Sequence, residues 1–189
     1  VEYLNVHNNG ANPNGGTDWA AVRGADGHPK PYKVVWFEYG NEDYHGEHKT
    51  GDNPNPRKIT PEEYAAQYLR YQAAMRAVDP SVKLGGLLQN GLWDWNRVVL
   101  KGCGRQMDFA IEHTYIPGYY GNNDEISGRL LMQSCTASDA AIQDIYDRLL
   151  AQIKEVTGRQ DLKLGITEYN GSFVQDQDVG IMNERATQA

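Results

Sequence analysis

Apolar residues gather into four short runs along the chain, and between the runs their spacing changes to that of a helix. The runs fall at 33–39, 82–88, 107–113 and 162–168, as in Val82-Lys83-Leu84-Gly85-Gly86-Leu87-Leu88 and Met107-Asp108-Phe109-Ala110-Ile111-Glu112-His113. Short, nearly continuous apolar runs suit strands covered on both faces, which is the situation in a parallel sheet. Each run is followed by a loop and then a helical pattern, so the order of elements reads as successive βα units.

The clearest helix start is Thr60-Pro61-Glu62-Glu63, which sets a capping hydroxyl, a proline at the first helical position and a glutamate at the third. Tyr64, Tyr68, Tyr71, Met75 and Val78 then share one face, and Asp79-Pro80 ends the pattern. A second helix carries Ile142, Ile145, Leu149, Ile153 and Val156 on one stripe and stops at Gly158. Both stripes are expected to pack on the sheet. Residues 6–31 are rich in Asn, Gly and Pro and read as a loop entering a strand. That loop belongs to the amino-terminal side of the sheet, so His7 and His28 are set aside as catalytic groups. The loops leaving strands, 43–59, 89–92, 114–137 and 169–182, are where functional groups are sought.

Two of these exits begin with an acid. Val34-Val35-Trp36-Phe37-Glu38-Tyr39-Gly40-Asn41-Glu42 and Leu162-Lys163-Leu164-Gly165-Ile166-Thr167-Glu168 are each an apolar run leading into a glutamate. In parallel α/β architectures the carboxyl ends of strands face one cleft, so Glu42 and Glu168 can meet there. Paired carboxyls across a cleft are the equipment of glycoside hydrolysis, one as general acid and one as nucleophile. Asn41 adds an amide able to bind a sugar hydroxyl. Either glutamate alone reads better as a solvated strand-end acid; the pair is what points to chemistry.

Composition narrows the partners. A net charge of −7 and a pI of about 5.2 are set against binding of a phosphate backbone, and no basic run exists. No apolar stretch reaches the roughly 20 residues of a membrane span, and no signal segment is present at the start. The chain opens on a helix-like Val1-Glu2-Tyr3-Leu4-Asn5 and closes in another helical pattern, so residues 1–189 read as part of a single catalytic domain truncated at both ends. Cys103 and Cys135 flank a strand roughly 23 Å long, far beyond the ~7 Å reach of a disulfide, and are expected to be free thiols.

Other chemistries find little support. His45, Glu47 and His48 do not follow the helical zinc spacing, and no metal is expected. Asp176-Gln177-Asp178 lacks the glycine and distal glutamate of a calcium loop. No Gly-x-Ser-x-Gly elbow occurs, and Gly85-Gly86 lies inside a strand, where it allows close backbone approach rather than phosphate binding. Trp93, Trp95, Tyr119 and Tyr120 could stack on sugar rings or simply cover the sheet end. Tyr44 and Tyr169, beside the two acids, are stronger site candidates.

Trp36 to Glu42, His113-Thr114-Tyr115 and Thr167-Glu168-Tyr169-Asn170, together with Val1 to Asn5 and Asp26-Gly27-His28-Pro29-Lys30-Pro31-Tyr32, resemble glycoside hydrolase family 51. These are the α-L-arabinofuranosidases, in the clan of (β/α)8-barrel retaining glycosidases. The resemblance implies an α/β fold, a partial (β/α)8 TIM barrel of about four βα units covering the fourth to seventh strands. It implies Glu42 as acid/base, Glu168 as nucleophile and Asn41 as a ligand of the sugar 2-hydroxyl. His113 and Tyr115 would orient or hydrogen-bond nucleophile and substrate, and Tyr44, Tyr169 and Trp93 would bind substrate. The implied activity is retaining hydrolysis of α-L-arabinofuranosidic linkages in plant polysaccharides. A β-xylosidase or endoglucanase of the same clan, or a non-catalytic carbohydrate-binding relative, are the alternatives. No cofactor is implied; the partner is an oligo- or polysaccharide, not nucleic acid or membrane, and a homo-oligomer of the full-length protein is compatible. After Glu42, Asp43-Tyr44-His45-Gly46-Glu47-His48 departs from the family's usual loop, leaving the exact sugar open, as is a cytoplasmic or secreted location.

Overall fold

The computed structural model describes residues 1–45, 59–118 and 128–172. Its centre is one sheet of four parallel strands in sequence order, β1 (Trp36–Glu38), β2 (Lys83–Leu87), β3 (Phe109–Gly118) and β4 (Lys163–Ser172). Neighbouring parallel strands in chain order, each joined through helix, form the wall of a (β/α)8 barrel, here four units of it. The expected fold class is therefore present. One row crosses the whole sheet, with Glu38 beside Gly85, Gly85 beside Phe109 and Phe109 beside Lys163.

Helices α1 (Glu2–Asn5) and α2 (Trp19–Ala25) precede the sheet, and α3 (Pro61–Val78), α4 (Trp93–Cys103), α5 (Gly128–Thr136) and α6 (Ser138–Thr157) accompany its strands. Helix α3 starts with the full capping box, Thr60 and Glu63 each accepting from the other's backbone N–H. Its Tyr64 and Tyr68 are buried, and their hydroxyls tie the helix to the strands. Tyr64 donates to the Tyr39 carbonyl at 2.9 Å and accepts from the Leu87 N–H at 2.8 Å, and Tyr68 donates to the Leu84 carbonyl at 2.6 Å. Tyr71, expected on the same buried stripe, is 55% exposed. It lies at the edge of the packed face, with its ring against Tyr39 at 4.9 Å. Helix α6 buries Ile145, Leu149 and Ile153 and ends at Gly158, whose φ of +76° is the left-handed cap that favours glycine. Val99, Leu100 and Cys103 of α4 complete this outer core layer.

The inner face of the sheet is shaped by Gly85. A Cβ there would lie 2.4 Å from the Phe109 ring, so the glycine lets that ring lie flat on the strand. Trp36 meets Phe109 edge-on at 5.4 Å, and with Glu38, Lys163 and Thr167 they border a hollow of about 320 Å³.

The structure departs from the sequence reading in its boundaries. Strand β1 is shorter than 33–39, being an edge strand paired only with β2. Strands β3 and β4 run on to Gly118 and Ser172, because they pair with each other beyond their apolar runs. The region read as an entry loop holds α2, capped by Asp18 on the Ala21 N–H. Arg23, fully buried, secures it by donating to the carbonyls of Tyr3, Val6, His28 and Pro29. Cys103 and Cys135 are both buried and are not bridged to each other by a disulfide. His48, Tyr119, Tyr120 and the 176–178 segment lie outside the described residues. No helix among the described residues is long and apolar enough to cross a membrane.

Candidate active site

Glu42 reaches the cleft from a turn rather than from the end of its strand. Gly40 has φ +78° and Glu42 itself φ +53°, an uncommon backbone state for a residue with a side chain, and a 3₁₀ turn over Asp43–His45 follows. Glu168 reaches it through a bulge. Glu112 pairs with Ile166 but His113 pairs with Glu168, so Thr167 is the extra residue on β4. Side chains alternate along a strand, and one extra residue shifts Glu168 from the parity of Leu164 and Ile166 to that of His113. The sequence alone put the two acids at strand ends; the turn and the bulge are what aim them.

They meet around His113. Its Nδ1 lies 2.9 Å from Glu42 Oε1 and 3.4 Å from Glu168 Oε2, and ligand atoms of all three groups lie within 4.8 Å of one another. Tyr115 donates its hydroxyl to Glu168 Oε2 at 2.7 Å. His113 is 4% exposed, and its Nε2 is buried with no hydrogen-bond partner among the described residues. A carboxylate only accepts, so Nδ1 is the ring nitrogen that donates here, toward Glu42. The three groups are also the only described set close enough to share a metal ion. The Glu42–His113 and Tyr115–Glu168 hydrogen bonds use the atoms that would ligate one.

Burial pushes the Glu42 carboxyl up, but the hydrogen bonds from His113 and Tyr44 outweigh it and hold Glu42 below the usual range. Burial and the neighbouring carboxylates Glu42, Glu112 and Glu168 drive the Tyr44 hydroxyl far upward, so it stays a neutral donor to Glu42. His45 Nε2 stands 3.7 Å from Glu42 Oε2 on the exposed side. Behind Tyr44, the Trp95 ring meets it edge-on at 5.8 Å and lies 5.2 Å from Tyr64.

Of the residues singled out in the sequence, Glu42, Glu168, His113, Tyr115 and Tyr44 thus come together. Asn41 and Tyr169 sit exposed beside the two acids, without a hydrogen bond to the cluster among the described residues. Trp93 is placed elsewhere. It opens α4, its ring lies under the Arg148 guanidinium at 5.8 Å, and its carbonyl accepts from Gln152 of α6. Residues two apart on a helix point to different sides, and here Trp95 is the one that reaches Tyr44. The sequence reading also passed over Glu112, which is 1% exposed and directly precedes His113. Both its oxygens accept from the Asn90 N–H, at 3.2 and 3.1 Å, and burial pushes its carboxyl up to about 7. An acid inside an apolar strand was the available signal.

Comparison with known proteins places the fold in a family. Residues 1–116 match the family model described as the alpha-L-arabinofuranosidase 1 domain. A probable alpha-L-arabinofuranosidase C of Aspergillus fumigatus is 31% identical over 87 residues, which is 46% of this chain and 16% of that protein. The solved alpha-L-arabinofuranosidase of Thermotoga maritima superposes with a TM-score of 0.68 at 25% identity, over 93% of this chain and 31% of that one. A family 51 alpha-L-arabinofuranosidase from Bifidobacterium longum, at 22% identity and TM-score 0.65 over 90% of this chain and 32% of its own, shares the fold. The chain thus spans less than a third of the solved relatives' length. With more than half of its residues under the family model, the chain belongs to the alpha-L-arabinofuranosidase domain family, as its resemblance to glycoside hydrolase family 51 implied.

Proposed function

We propose that this chain carries the catalytic pair of a retaining glycoside hydrolase acting on α-L-arabinofuranosidic linkages of plant polysaccharides. The observation that carries the reading is the approach of Glu42 and Glu168 around one histidine, with carboxylate oxygens within 4.8 Å. Retaining enzymes hold their two carboxyls about 5 to 5.5 Å apart, and inverting enzymes leave a wider gap, about 6.5 to 9.5 Å, for a water.

In this reading Glu168 attacks the anomeric carbon to form a glycosyl ester, while Glu42 gives its proton to the departing oxygen. Glu42 then takes a proton from the water that cleaves the ester, so it ends the cycle protonated as it began. Tyr115 aims Glu168 by its hydrogen bond, with His113 Nδ1 3.4 Å away, and Asn41 binds a sugar hydroxyl beside the reacting carbon. Glu42 needs a proton at the start. The hydrogen bonds that favour its charge act against this in the empty site, and a sugar that displaces water raises the carboxyl again by desolvation.

The test uses the full-length enzyme with aryl arabinofuranosides, alongside chromogenic xylosides and glucosides to define the sugar. Glu168→Ala should abolish turnover of every substrate. Glu42→Ala should spare substrates with good leaving groups, which need no proton, and should respond to added azide. Equal, modest losses from both changes would sink the assignment.

A further inference from the structure

We infer that Glu112, buried between His113 and the loop leaving β2, is a positioning residue for Glu42, acting through Asn90 and the aromatic pair Trp95 and Tyr44. This rests on the acid/base role of Glu42 given above. Glu112 touches neither catalytic carboxylate. Its oxygens accept from the Asn90 N–H at 3.2 and 3.1 Å, which fixes the loop joining β2 to α4 against β3. The neighbouring part of that loop is held from the other side, where Gln89 and Asn96 exchange backbone and side-chain hydrogen bonds at 2.9 Å each. Asn96 also donates to Gln152 of α6. The start of α4 is thus set from β3 and from α6, and the start of α4 carries Trp95.

From Trp95 the chain of contacts is short. Its ring packs edge-on against Tyr44, and Tyr44 donates to Glu42. The carboxyl of Glu112 is also within electrostatic reach of the Tyr44 and Tyr146 hydroxyls, the titratable groups that face it from the β1 exit and from α6. Burying an acid in an apolar strand is costly unless it makes a needed bond, and the bond here is to the Asn90 N–H, which together with the Leu88 N–H on the Ile111 carbonyl closes this loop onto β3. A small apolar residue would pack there at less cost but would leave Asn90 unsatisfied.

The experiment compares Glu112→Ala and Glu112→Gln in the full-length enzyme on aryl arabinofuranosides with good and poor leaving groups, with Glu42→Ala in parallel. If Glu112 positions Glu42, Glu112→Ala lowers kcat/KM about tenfold on the poor leaving group and less than about threefold on the good one, an imbalance worth one weakened hydrogen bond. Glu112→Gln keeps an acceptor oxygen for Asn90 and restores most of the difference. Equal losses on both substrates, or none, would overturn the proposal. Glu112→Leu fills the volume without an acceptor and carries the same expectation if alanine leaves too large a hole. A second reading needs no apolar variant. With asparagine labelled by nitrogen-15, the Asn90 amide resonance should move with the titration of a carboxyl in the wild type and stay still in Glu112→Gln; no movement across the whole carboxyl range, from about pH 4 to 8, refutes the contact. If Glu42→Ala itself fails to discriminate between leaving groups, the acid/base reading falls. If it discriminates and Glu112→Ala does not, only this inference falls.

Discussion

His113 does two jobs with one nitrogen. Its Nδ1 lies 2.9 Å from Glu42 and 3.4 Å from Glu168, so it moderates the repulsion between two acids that the proposed reaction needs side by side. Removing it should cost kcat/KM about ten- to a hundredfold, the equivalent of a hydrogen bond to a charged group. The pH profile gives the sign. The His113 bond favours ionised Glu42, so in His113→Ala the Glu42 carboxyl rises and the alkaline limb of kcat/KM on poor leaving groups moves to higher pH. A limb that stays in place or moves down contradicts this role. At this scale Glu42, Glu168 and Tyr44 were legible because they stand where apolar runs end, whereas His113 and Tyr115 entered through the resemblance of His113-Thr114-Tyr115 to the family. Glu112 was not legible, since nothing in Ile111-Glu112-His113 tells that the carboxyl turns to a loop amide contributed by Asn90.

Between the residues and the barrel, placement depends on how elements are pinned. Tyr64 of α3 links the carbonyl leaving β1 with the amide at the end of β2, close to where the chain turns toward Glu42. Tyr64→Phe removes one donor and one acceptor from buried backbone groups and should destabilise the fold by about 2 to 4 kcal/mol, measured by urea unfolding. A cost below about 0.5 kcal/mol would show that water replaces the hydroxyl. The helix α3 start and the α6 stop were legible from a capping box and a terminal glycine, which are local signals. The bulge at Thr167 and the extension of β3 and β4 were not, because they arise from the pairing of two strands more than fifty positions apart in the sequence. Trp93 read either as a sugar platform or as cover for the sheet end, and its ring lies under Arg148.

For the molecule as a whole, the parallel order of the sheet was readable from alternating apolar runs and helical stripes, and it is this order that sends Glu42 and Glu168 to one side. Its buried acid predicts how stability varies with pH. Glu112 ionises near 7 in the folded chain and near the ordinary carboxylate value when unfolded, so the folded state binds the extra proton. That contribution is complete below about 4.5 and is lost as pH rises toward 7, by up to about 3 kcal/mol. Comparing unfolding at pH 5 and pH 8, the wild type should lose this increment relative to Glu112→Gln; an identical decline in both would contradict it.

The most direct test of the catalytic pair is to catch the sugar on the enzyme. In full-length Glu42→Ala, an arabinofuranoside with an activated aryl leaving group should form the glycosyl ester, and hydrolysis without the base should be slow enough for peptide mapping by mass spectrometry. The account predicts a pentose on the peptide holding Glu168, removed by azide. A sugar on any other residue, or no adduct and a product of inverted configuration, would contradict it.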